Sequence, residues 1–170
     1  SIFMGNELST ENSILSQDEI RRLRMRFSKI DVDQSGSLTK SEILNIPGLH
    51  QNPLVDRVLG VLDVDNNGEI DLNEFIAGIS LFSSRGDIDV KVRFIFDIYD
   101  VNRDGYVTNG ELFSVVKSMV GDNLKDVQLQ QIVDKTMVLY DSDKDGRISF
   151  DEFKKIASNF EIYKSMSLEI

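Results

Sequence analysis

Twelve-residue segments at 31–42, 63–74, 100–111 and 141–152 each set oxygen-bearing side chains at positions 1, 3, 5 and 12, with glycine at position 6. The first carries Asp31, Asp33, Ser35 and Glu42, and the second Asp63, Asp65, Asn67 and Glu74. The third carries Asp100, Asn102, Asp104 and Glu111, and the fourth Asp141, Asp143, Asp145 and Glu152. Clustered oxygens of this kind suit a hard cation such as Ca²⁺, which takes six to eight oxygen ligands and needs a bidentate carboxylate to close its shell. Each glutamate at position 12 can supply that closure. Position 7, where the backbone carbonyl would bind, is Ser37, Glu69, Tyr106 or Arg147. The glycines permit a sharp turn around one ion. Repetition with starts 32, 37 and 41 residues apart predicts four Ca²⁺ sites rather than four solvated acidic turns.

This spacing is that of the EF-hand calcium loop. Position 8 is aliphatic each time, Leu38, Ile70, Val107 and Ile148, so two loops can pair through a short strand while these side chains enter the core. The four sites are not equivalent. Ser35 is a weaker ligand than a carboxylate, Asn102 replaces an aspartate, and the second loop adds Asp71 at position 9. Three aspartates and Glu152 rank the fourth loop among the tightest.

The elements that must position these loops are legible as apolar residues at helical spacing. Ile20, Leu23, Phe27 and Ile30 enter the first loop, and Ile43, Leu44 and Ile46 leave it before Pro47. Asn52 with Pro53 reads as a helix start, leading through Val55, Val58, Leu59 and Leu62 to the second loop. Phe75, Ile76, Ile79 and Phe82 lead out. Asp87 can cap the next helix, Gly121 stops the one after the third loop, and helices over roughly 126–140 and 150–160 complete the fourth repeat. The expected fold is all-α, with four helix–loop–helix hands paired into two lobes and short strand pairing between loops. The expected organisation is an arm at 1–15, a hand pair at 16–82, a linker at 83–86, a second pair at 87–160 and a tail at 161–170. Phe27, Phe75, Phe94, Phe96, Phe113 and Phe153 read as core.

Net charge is −10, and fourteen of the 29 acidic residues lie at positions 1, 3, 5, 9 and 12 of the loops. Four bound Ca²⁺ would leave about −2, so the acidity describes ion sites more than a surface seeking a basic partner. No basic stripe is present to neutralise phosphates, which argues against nucleic acid. The absence of cysteine excludes disulfides and zinc–thiolate sites. His50 is the lone histidine and reads as a linker residue. No Ser/His/Asp set, phosphate loop or HExxH pattern occurs, so the chain is not expected to be an enzyme. No apolar run reaches membrane-spanning length. Only Met25, Met119, Met137 and Met166 follow Met4, and an apolar surface built instead from Leu, Ile, Val and Phe favours one long-term partner over many.

Met4-Gly5-Asn6-Glu7-Leu8-Ser9 fits N-myristoylation of Gly5 if translation begins at Met4, with residues 1–3 a cloning remnant. Further segments carry a resemblance. MGN at 4–6, QNPLV at 51–55, KVRF at 91–94 with IYD at 98–100, and DGYVTNGELF at 104–113 resemble the calcineurin B family, as do MVGDNLKD at 119–126 and QLQQIVDKT at 128–136. The stretch 119–136 is the most specific of these. All four loops keep their ligands, unlike the neuronal sensors and calcineurin-B-homologous proteins, while the Gln34-Ser35-Gly36 loop and the tail from Lys164 diverge. The resemblance implies a cytoplasmic, partly membrane-associated regulatory subunit. Its partner would be the catalytic A subunit of a calcium/calmodulin-dependent serine/threonine phosphatase, with an amphipathic helix held in an apolar groove. It also implies a composite surface for substrate motifs and immunophilin–drug complexes, at Leu112, Val115, Val116, Met119, Val120, Asp122 and Asn123. A free calcium sensor with a calcium–myristoyl switch is the alternative, and a plain calcium buffer a third reading.

Overall fold

The computed structural model describes residues 15–81 and 88–160, the last four by their backbone only. The myristoylation site at Gly5, nearly all of the expected arm, Phe82, the linker at 83–86, Asp87 and the tail at 161–170 lie outside the described residues.

Helix starts are written into the loops. In the first hand, α1 (Gln17–Ile30) opens with Ser16 and Glu19 bonding each other's backbone amides, Ser16 N to Glu19 Oε2 at 2.7 Å and Glu19 N to Ser16 Oγ at 3.3 Å. Such a reciprocal cap satisfies two amides that the helix cannot. The first loop then carries β1 (Ser37–Leu38), followed by α2 (Lys40–Leu44), which lasts little more than a turn before Pro47. The second hand comprises α3 (Val55–Leu62), β2 (Ile70–Asp71) and α4 (Leu72–Leu81). In the third, α5 (Ile88–Tyr99) leads to β3 (Tyr106–Thr108) and α6 (Asn109–Val120). After a 3₁₀ turn at Gly121–Asn123 come α7 (Asp126–Tyr140), β4 (Arg147–Ser149) and α8 (Phe150–Phe160).

One expected boundary is corrected. Asn52 does not cap α3. Its side-chain carbonyl accepts the Leu54 amide at 2.9 Å, and the helix begins only at Val55 behind an N-cap residue with no side-chain bond. The asparagine spends its acceptor on a local turn two residues on, the alternative open to this residue type.

The chain divides into two compact units, one reaching Val90 and the other beginning at Lys91. In the first, β1 and β2 pair antiparallel with Leu38 opposite Ile70, so position 8 of one loop faces position 8 of the other. Both side chains join Phe27 and Ile43 in a buried cluster, and Phe27 meets Phe75 edge-on at 5.6 Å. A neighbouring cluster holds Leu15, Ile20, Leu23 and Ile76 between α1 and α4. In the second unit Val107 faces Ile148 across β3 and β4. These two pack with Phe96, Leu129, Val133 and Met137, and the rings of Phe150 and Phe153 meet Phe96 edge-on at 5.6 and 5.5 Å. Among the described residues, no helix is long and apolar enough to cross a membrane.

Candidate metal centres

Each loop is shaped by its first aspartate. Asp31 accepts the amides of Ser35 and Gly36 at 3.0 and 2.9 Å, one on each oxygen, and Asp63 accepts those of Asn67 and Gly68 at 3.1 and 2.8 Å. Asp100 does the same with Asp104 and Gly105 at 3.2 and 2.9 Å, and Asp141 with Asp145 and Gly146 at 3.1 and 2.8 Å. Position 3 then holds the position-5 amide through Asp33, Asp65, Asn102 or Asp143, at 3.0–3.2 Å. These bonds fold the chain so tightly that two backbone positions become left-handed. The glycine at position 6 is one, with φ between 84 and 90°. Position 4 is the other, and there Gln34, Asn66, Arg103 and Lys144 adopt φ near 60°. Only asparagine among them is well suited to that region, which strains most side chains. No single position-4 residue type marks this in the sequence.

The closing glutamates divide their oxygens between two tasks. One oxygen reaches back across the loop: Glu42 Oε1 to Val32 N at 2.8 Å, Glu74 Oε1 to Val64 N at 2.9 Å, Glu111 Oε1 to Asn102 N at 3.1 Å and Glu152 Oε1 to Ser142 N at 2.8 Å. The other takes the position-9 amide at 2.9–3.0 Å, at Thr39, Asp71, Thr108 and Ser149. In return, the position-9 side chain accepts the glutamate's own amide. Position 12 is thus also the third residue of the outgoing helix and half of its cap. The signal is present as Thr-x-x-Glu, Asp-x-x-Glu and Ser-x-x-Glu, and a search for metal ligands alone overlooks it.

Three compact carboxylate groups form among the described residues: Asp31 with Asp33 and Glu42, Asp63 with Asp65 and Glu74, and Asp141 with Asp143 and Glu152. Within each, one oxygen per residue lies within 4.8 Å of the others. The third loop has only two carboxylates in the equivalent places, because Asn102 stands at position 3, although its carbonyl makes the same bond to the position-5 amide. Like charges at such distances repel unless a cation lies among them. The donors are all oxygen, with no thiol or imidazole, and Asp31, Asp63, Glu74, Asp100 and Glu152 are buried at the loop bases. This chemistry fits a calcium-sized hard ion.

The remaining ligand candidates differ between loops. The Ser35 hydroxyl donates to the Ser37 carbonyl at 2.9 Å, so position 5 and the position-7 carbonyl of the first loop are bonded to each other. Asn67 and Asp104 accept the position-7 amides of Glu69 and Tyr106 at 2.8 and 2.9 Å. Asp145 accepts that of Arg147 at 3.0 Å. Burial lifts the Glu74 and Asp100 carboxyls above the usual range despite the amides bonded to them. The amide of Thr39 leads the bonds that hold Glu42 below it. Desolvation pushes Asp145 upward, but the bonds and charge of Arg147 outweigh it and leave the carboxyl low.

The residues expected at a partner surface fall into two groups. Met119, Asp122 and Asn123 are exposed, whereas Leu112, Val116 and Val120 pack in part against the core of the second unit. Val115 is 2% exposed and is withdrawn from that surface. An amphipathic helix must bury one stripe, and the sequence alone does not say which apolar residues lie in it.

A family model described as an EF-hand domain pair matches residues 20–80 and 89–158. The type 2 calcineurin B subunit of Bos taurus is 54% identical over 166 residues, covering 96% of this chain and 98% of that one. The Homo sapiens type 2 protein is 52% identical, over 97% of this chain and 99% of its own. The calcineurin B subunit of Candida glabrata is 51% identical, over 96% and 93% respectively. With half of all positions shared along nearly the full length of these chains, and with EF-hand pairs matched in both units, this chain belongs to the calcineurin B family.

Proposed function

We propose that this chain is the calcium-binding, non-catalytic regulatory subunit of a calcium/calmodulin-dependent serine/threonine phosphatase, with four Ca²⁺ sites and a constitutive catalytic partner. Membership of the calcineurin B family carries this reading, because identity above 50% extends over almost the whole chain. In each loop, positions 1, 3, 5 and 12 would hold the ion by side chain and Ser37, Glu69, Tyr106 and Arg147 by backbone carbonyl. The bound ion would supply the positive charge that lets the clustered carboxylates stay together. The closing glutamate would transmit that state to the outgoing helix, whose first turn it caps.

An apolar cavity of about 310 Å³ in the first unit supports the partner half of the proposal. Ile43, Ile46, Leu49, Val55, Leu59 and Ile79 are among its lining residues. Aliphatic and aromatic walls of this kind accept the apolar face of an amphipathic helix. The catalytic subunit of the phosphatase would supply that helix. Met119, Asp122 and Asn123 are offered as an edge for substrate motifs and immunophilin–drug complexes, on the resemblance of 119–136. N-myristoylation at Gly5 would add weak membrane affinity to a cytoplasmic protein.

The test is a pull-down from lysate with this chain as bait, with calcium and with chelator in parallel. One phosphatase catalytic chain retained near stoichiometrically in both is the expected outcome. Several partners retained only with calcium would make the chain a free sensor instead.

A further inference from the structure

The fourth loop has the most side-chain carboxylates at positions 1, 3, 5 and 12, namely Asp141, Asp143, Asp145 and Glu152, and ligand charge alone ranks it among the tightest. A cation built into the fold opposes that ranking. Arg147, at position 7, turns its guanidinium back onto the position-5 ligand, with Nε 3.2 Å from Asp145 Oδ2. Its backbone amide donates to the other oxygen, Oδ1, at 3.0 Å. Both oxygens of one ligand therefore face the same residue. Position 7 is Ser37, Glu69 or Tyr106 in the other loops, so no other loop carries a cation there.

The guanidinium is also held from the opposite loop. Its central carbon lies 3.5 Å from the centre of the Tyr106 ring, a stacked cation–π contact. Tyr106 is position 7 of the third loop. The register sets Tyr106 opposite Ser149 and Thr108 opposite Arg147, so Tyr106 and Arg147 form a diagonal pair across β3 and β4. Diagonal neighbours on a two-stranded sheet lie within reach of aromatic and long side chains. In the first unit the same diagonal is occupied without a cation: the Ser37 hydroxyl donates to the Glu69 carboxylate.

We propose that Arg147, held in place by Tyr106, is an internal counter-ion that lowers the calcium affinity of the fourth loop and makes that affinity depend on a side chain of the third. The proposal rests on the assignment of the fourth loop as a Ca²⁺ site. A guanidinium stays charged at any relevant pH. A divalent cation at the loop must either bear its repulsion or displace it from Asp145. The Arg147 and Asp145 side chains are 44% and 33% exposed, so solvent screens the effect, which is about two- to fivefold in affinity rather than orders of magnitude.

Site-resolved calcium titration of the full chain tests this, using ¹H–¹⁵N spectra in chelator-buffered calcium. The amides of Gly36, Gly68, Gly105 and Gly146 each donate to the position-1 aspartate of their own loop and so report loop by loop. In Arg147→Gln the Gly146 midpoint should move to about two- to fivefold lower calcium, with Gly36 and Gly68 unchanged. Arg147→Lys, which keeps the charge without the planar fork, should fall between. Tyr106→Leu should move the midpoint in the same direction by less, and Tyr106→Phe, which keeps the ring face, should match the parent. The double variant, combining Arg147→Gln with Tyr106→Leu, should equal Arg147→Gln alone. An unchanged or higher midpoint in Arg147→Gln overturns the counter-ion, and additivity of the two substitutions overturns its retention by Tyr106. A parent chain whose Gly146 ignores calcium overturns the site assignment itself, and the proposal with it.

Discussion

At the scale of single residues, the closing glutamates decide how a loop and a helix share one carboxylate. Glu152 is 6% exposed and accepts from Ser142 and Asp143 on one oxygen and from Ser149 on the other. Glutamine keeps the shape but replaces one acceptor with a donor, which leaves a buried amide facing a donor. Glu152→Gln is therefore expected to remove one calcium equivalent and to destabilise the second unit by about 1–3 kcal/mol even in chelator. Calorimetric titration and thermal melting with and without calcium check both parts. Unchanged stoichiometry and melting temperature would remove the fourth loop from the set of structural sites.

At the scale of elements, α6 and α7 are joined by a polar cluster that spacing does not announce. Asn109 and Gln130 both donate to Asp134 Oδ1 at 2.8 Å, and Gln130 donates to the side-chain oxygen Oδ1 of Asn109 at 2.8 Å. The bond from Asn109, then that from Gln130, holds the Asp134 carboxyl below its ordinary value. A carboxylate depressed in the folded state contributes stability that is present above its unfolded pKa, about 3.9, and is lost as pH falls through the folded value. Asp134→Ala should therefore lower the melting temperature at neutral pH, and its difference from the parent should shrink as pH is taken below about 4. A gap that is constant across that range would show that the carboxylate's ionisation is not what joins the helices.

The same scale shows what sequence could and could not disclose. The loops, the opposed Leu38 with Ile70 and Val107 with Ile148, and the extents of α7 and α8 follow from period and spacing. Start signals are less decisive, because Asn52 can bond a turn or a helix and here bonds the turn. Pairs such as Tyr106 with Arg147 depend on strand register, which a one-residue slip would change completely. Burial within α6 depends on which stripe meets the core, and Val115 falls on the core side for that reason.

At the scale of the whole molecule, charge governs the ion-free chain. A formal −10, with fourteen carboxylates gathered at positions 1, 3, 5, 9 and 12 of the loops, makes it self-repelling. Salt screens that repulsion, shortening the Debye length from about 30 Å at 0.01 M to about 3 Å at 1 M. Raising salt over this range should therefore raise the melting temperature of the chelator-treated chain by more than that of the calcium-loaded chain. Equal increments in differential scanning calorimetry would mean that loop repulsion is not what calcium relieves.

The short strand pairs carry a consequence for how such a chain can be divided. Each hand ends one side of its loop in an unpaired edge and half of an apolar cluster, and the other hand of its unit completes both. Split from that neighbour, a lone hand is half of a handshake, and its lowest-energy completion is a second copy of itself. Duplication, loss and grafting should therefore succeed on this chain in steps of two hands. The heritable unit of the architecture is the couple, not the loop.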